Sequence, residues 1–94
     1  MNQKLIDLEK EIKEKFPNVW IKDGARFSAE QEGSLWTGEG SMMPDDREAF
    51  DYYTQDYKET HYQMGVHKAL VKVLDAHGFY AEAHDPGTYF LREA

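Results

Sequence analysis

Cysteine is absent from this 94-residue chain. That removes disulfide frameworks, thiolate zinc sites and thiol nucleophiles together, and leaves packing as the source of stability. Long apolar runs are missing too. Met1 to Phe16 alternates apolar and charged residues with no continuous apolar core, and nothing later approaches the roughly 20 residues of a membrane span. The expectation is a cytoplasmic protein with neither signal peptide nor transmembrane helix. Basic residues are scarce where acids are dense. Residues 1–29 sum to +1, residues 30–59 to −7 and residues 60–94 to −1, so the whole net charge of −7 sits in the middle third. A phosphate-binding surface needs clustered lysine and arginine, so this balance argues against a nucleic-acid partner.

What the chain does have is enough apolar matter for one core. Hydrophobic residues make up 40%, including five Phe, six Tyr and two Trp, which offsets the chain entropy of a single domain spanning residues 1–94 and leaves no room for a second. Leu5, Leu8, Ile12 and Phe16 recur at three- and four-residue steps among charged neighbours, the pattern of an amphipathic helix closed by Pro17 and Asn18. Val19 to Lys22, the Asp23-Gly24 dipeptide and Ala25 to Ser28 read as a β-hairpin, and Ser34 to Thr37 as a further strand. Asp45, Asp46, Arg47 and Glu48 suit a helix start running through Phe50 and Tyr53, although the tyrosines that follow suit an ordered loop equally well. Val66, Leu70, Val73 and Leu74 mark a helix between about Thr60 and His77, or from Gly65, stopped by Gly78. Phe79 to His84, the turn at Asp85-Pro86-Gly87-Thr88 and Tyr89 to Arg92 form a second hairpin. The fold class is therefore α+β: a small antiparallel sheet of about five strands, two hairpins plus one strand, with two or three helices on one face.

Few residues carry chemistry at recognised spacing. His61, His67, His77 and His84 stand at intervals that place no two imidazoles one helical turn apart, so no metal is expected. His67 reads as an exposed helical residue and His77 as a helix C-terminal residue favourable to the dipole. Gly38-Glu39-Gly40-Ser41 lacks the lysine and spacing of a phosphate loop, and Glu39 would repel an anion. No nucleophile elbow or paired-carboxylate pattern appears, and no cofactor is implied.

The feature out of the ordinary is an acidic aromatic run. Phe50, Tyr52, Tyr53, Tyr57 and Tyr62 stand among Asp45, Asp46, Glu48, Asp51, Asp56 and Glu59. Tyrosine offers contact area at low entropic cost, and concentrated negative charge steers basic partners. Asp45, Asp46, Glu48, Asp51, Tyr53, Asp56 and Tyr57 are thus candidate contacts to a basic site on a protein partner. The rival readings are a small-ligand binder or enzyme using Glu39 and His84 in a cleft, and an assembly protein pairing through a sheet edge. The bland reading puts half the rings in the core and leaves the acids as solvated surface.

The stretches Leu35-Trp36-Thr37-Gly38-Glu39-Gly40, Phe50-Asp51-Tyr52-Tyr53, Gly65-Val66-His67 and His77-Gly78-Phe79-Tyr80-Ala81-Glu82 with Asp85-Pro86-Gly87-Thr88 resemble small bacteriophage and mobile-element proteins of no assigned activity. The resemblance spans roughly the C-terminal two thirds. It implies a setting in which small acidic proteins bind host proteins, some of them by imitating nucleic-acid charge, and it brings no catalytic residues with it.

Overall fold

A computed structural model describes residues 3–54 and 60–94. Helix α1 (Gln3–Lys15) presents Leu5, Leu8 and Ile12 to the interior and leaves charge outside, with Glu9–Lys13 and Glu11–Lys15 pairs one turn apart. Strand β1 (Lys22–Asp23) is followed after two short 3₁₀ turns by β2 (Leu35–Gly38). A two-stranded ribbon of β3 (Tyr62–Gln63) and β4 (Val66–His67) leads into α2 (Lys68–His77), and the chain closes with β5 (Phe79–Asp85) and β6 (Thr88–Glu93). The main sheet is antiparallel in the order β1-β2-β6-β5. The architecture is α+β, with four strands in the sheet and a separate ribbon among the described residues, rather than five strands together.

Pairing register decides what each sheet face does. Leu35, Leu91 and Ala81 form one cross-strand row, and Trp36, Phe90 and Glu82 the next, pointing the other way. Leu35, Leu91, Phe79 and Tyr89 join Leu8 and Ile12 of α1 and Leu70 and Leu74 of α2 in a single core. The opposite face carries a smaller aromatic group in which Phe27 covers Trp36 and Phe90 edge-on, at 5.2 and 5.1 Å. A hydrogen-bonded contact between His77 Nε2 and Glu11 at 2.8 Å holds the helices together outside the core. No helix among the described residues is long and apolar enough to cross a membrane.

Two expectations need correction, and one open alternative is decided. Asp23-Gly24 does not reverse the chain into a hairpin. Asp23 Oδ1 accepts the Ala25 N–H, which starts a 3₁₀ turn over Gly24–Arg26, and β1 pairs with β2 instead, Lys22 opposite Trp36. Glycine is needed at Gly24 for space: a Cβ would meet the Gln31 carbonyl oxygen at 2.3 Å. Residues 45–53 form an ordered loop, not a helix. Asp45 accepts the Arg47 N–H, Asp46 takes a φ of 67°, and both features divert the backbone from a helical start. The second helix begins only at Lys68. Before it, Tyr62 pairs with His67 and Gln63 with Val66 around Met64 and Gly65, whose φ values of 53° and 79° make the tight turn of a hairpin.

Candidate functional site

The end of β2 and the start of β6 lie side by side, Gly38 opposite Thr88, so the two turns leaving them meet. The Glu39 N–H donates to the Gly87 carbonyl at 3.0 Å, and the Glu39 carboxylate lies over Gly87, with Oε2 2.9 Å from where a Cβ would stand. The loop after Met42 runs back past this point. It is held by the Ala49 N–H on Ser41 O, the Asp51 N–H on Gly65 O and the Tyr62 hydroxyl on Glu48 O. The result is a cleft of about 190 Å³ lined by Glu39, Glu48, Asp51, Phe50, Tyr52 and Tyr53 and closed at one end by Pro86 and Gly87.

Phe50 is its floor. The ring is buried and stacks on Tyr89 with centroids 4.4 Å apart and planes 23° apart, so the floor continues the core. Tyr52 and Tyr53 are the rim, 51% and 75% exposed and packed edge-on against each other at 5.1 Å. Among the described residues no cation pairs with Glu39, Glu48 or Asp51. Their field reaches the neighbouring phenols. Tyr62 is raised above its ordinary value by burial first and then by Asp51, Glu48 and Asp45, and Tyr89 by burial and then by Tyr52 and Asp51. Acids that pair with no cation among the described residues, beside exposed aromatic rings, suit a lysine or arginine side chain, which gains a carboxylate partner for its head and a ring for its stem. The volume is below the roughly 300 Å³ at which small-molecule sites begin, and fits one side chain better than a cofactor.

Asp45 plays another part. Its Oδ2 lies 2.8 Å from His67 Nε2 and 2.9 Å from an Arg47 guanidinium nitrogen. His67 is not the exposed helical residue its sequence position suggests. It is 8% exposed, serves as the N-cap of α2, and its Nδ1 accepts the Ala69 N–H at 3.1 Å. Since Nδ1 accepts, the ring proton sits on Nε2 and is donated to Asp45. Both ring nitrogens are thereby occupied, and the pair ties the acidic loop to α2. The His67 hydrogen bond, followed by the Arg47 N–H, holds the Asp45 carboxyl far below the usual carboxylate range.

A depressed folded-state pKa stabilises the protein above the ordinary value of 3.8, and that stabilisation is lost as pH falls toward the lowered one. Asp45→Asn should therefore lower the melting temperature at pH 6, with the gap to the parent narrowing once pH drops below about 4. Thermal melts from pH 6 to 2 check this, and a gap that stays constant contradicts it.

Glu48, Asp51 and Tyr53 are thus brought together. Asp46 is exposed on its own turn outside the cleft, and Asp56 and Tyr57 lie outside the described residues. Glu39 and His84 do not share the cleft: His84 packs against Phe27 and Phe90, at 5.3 and 5.6 Å. Sequence reasoning missed that Glu39 belongs with Glu48 and Asp51. Pairing 35–38 with 88–93 would have found it, because that register brings the Gly38-Glu39 and Pro86-Gly87 turns together. No protein-family model matches the chain, and no curated protein or solved structure matches it significantly.

Proposed function

We propose that the protein is a non-catalytic interaction module whose acidic, tyrosine-rimmed cleft takes a lysine or arginine side chain from the basic surface of a partner protein. The observation that carries this reading is the meeting of Glu39 with Glu48 and Asp51, three carboxylates from two stretches of chain that pair with no cation among the described residues, beside the exposed rings of Tyr52 and Tyr53. The resemblance to phage proteins supports a host protein as the partner and imitation of nucleic-acid charge as the means. The enzyme reading has less support, since Glu39 and His84 face different surroundings and both nitrogens of His67 are taken.

Charge and rings predict separable kinetic effects. Salt screens exposed charges over about 8 Å at physiological strength, whereas ring contact area is insensitive to salt. With a partner isolated from host lysate, association should slow as salt rises. Asp51→Lys should slow association at low salt by about ten-fold, and Tyr53→Ala should instead speed dissociation. Surface plasmon resonance on both variants, with circular dichroism to verify folding, decides the matter. Binding indifferent to salt and to both substitutions places the interface elsewhere.

A further inference from the structure

The sheet has two edges, and they are treated differently. The edge at β1 is two residues long and offers little backbone to pair with. The edge at β5 is the longest strand in the protein, seven residues, with β6 on one side and no strand among the described residues on the other. Proteins blunt such edges with charge, bulges or brevity. Here the bulge comes late, between Ala83 and Asp85, and leaves the backbone from Phe79 to Glu82 in regular register.

Beside that open stretch runs a groove of about 190 Å³ between β5 and α2, walled by Val71 and Leu74 of the helix and by Phe79 and Ala81 of the strand. Met64, at the tip of the β3–β4 turn, overhangs it at 89% exposure. An unbranched, adaptable side chain projected into solvent beside an apolar groove suits contact with a second molecule. An open strand edge next to a side-chain pocket is the arrangement that recognises an extended peptide by adding it to the sheet.

Charge selects the occupant. Asp75 lies on the groove wall, and Glu82 and Asp85 lie along the strand. Asp75 and Asp85 have no cationic partner among the described residues. A second copy pairing β5 with β5 would bring these acids together between chains of net charge −7 each, which disfavours self-association. We infer that the Phe79–Glu82 edge takes an extended basic segment of another protein as an added strand and seats one of its apolar side chains in the groove between Met64 and α2. This site is separate from the tyrosine-rimmed cleft and does not depend on it.

The probe is a blocked heptapeptide alternating lysine with valine or leucine, titrated into the full chain and followed by amide chemical shifts and hydrogen exchange. Two further peptides carry backbone N-methyl groups, one at its lysines and the other at its apolar residues. Only one set of N–H groups of an added strand faces β5, so one N-methylated peptide should lose at least ten-fold in affinity while the other binds like the parent. Shifts and exchange protection should centre on Phe79–Glu82. Met64→Gly, at an exposed position of positive φ where glycine is at ease, should weaken binding several-fold without unfolding the protein. The inference is overturned if the two N-methylated peptides behave alike, if the shifts fall on Glu48, Asp51 and Tyr53 instead, if an all-glutamate counterpart binds as well as the lysine peptide, or if sedimentation finds a dimer formed through β5.

Discussion

Gly38→Ala is expected to cost about 3–5 kcal/mol of stability, although it adds a single methyl group. Two penalties act at once. At a φ of 151° the residue occupies a region that side chains rarely enter, and the new Cβ would stand 2.2 Å from the Gly87 carbonyl oxygen, 3.0 Å from its carbon and 3.1 Å from Thr88 Cα. All three obstructing atoms are backbone, so no rotamer change relieves the clash. The last β2–β6 pair and the Glu39 to Gly87 hydrogen bond must give way, and the Glu39 wall of the cleft goes with them. Against a total stability of about 5–15 kcal/mol, such a loss leaves a marginal fold. Urea denaturation measures it, and a shift below about 1 kcal/mol would show that the two turns can separate freely.

The elements that could be read along the chain are those whose stabilising contacts are dictated by local period. Helix α1 shows its stripe at Leu5, Leu8 and Ile12, and the same three residues are buried. Phe79 and Ala81 alternate with Tyr80 and Glu82 as a strand requires, and the turn at Pro86-Gly87 closes the β5–β6 hairpin. Local pattern is insufficient where aspartate side chains redirect the backbone. Asp23 and Asp45 each accept an N–H from two residues ahead, and in doing so replace a hairpin and a helix start with turns that composition does not distinguish from them. It is insufficient again before α2, where Gly65 reads as a helix boundary but turns the ribbon that positions His67.

The site was legible as composition but not as geometry. Acid density groups Glu48 and Asp51, which line one cleft, and groups Asp45 with them. Asp45 is committed to His67, 22 residues away, through a contact that no local pattern announces. Glu39 stands apart from the acidic run in sequence, nine residues before Glu48. What unites them is strand pairing at long range, through the adjacent ends of β2 and β6.

The same long-range construction makes the cleft floor inseparable from the core. Tyr89 is 2% exposed and its ring carries Phe50, so Tyr89→Ala removes a large buried side chain and the support of the floor together, at an expected cost of about 3–5 kcal/mol. Tyr89→Phe keeps the stack and should remain within about 1 kcal/mol of the parent. Phe50→Ala should also be costly. Because the two rings touch, the double variant should lose less than the sum of the singles, with a coupling of about 0.5–1.5 kcal/mol beyond the loss of buried area. The consequence for the proposed binding is directional: Phe50→Ala should damage it by lowering the cleft floor, displacing Asp51 from Gly65 and Tyr52 with it, whereas Phe79→Leu, also buried but on the far strand, should spare the cleft. Chemical denaturation of the four-member cycle, together with binding measured under conditions where every variant is folded, tests both halves. Additive stabilities would mean that the stacked rings are neighbours without being partners, and the cleft would then rest on the hydrogen bonds of its loop alone.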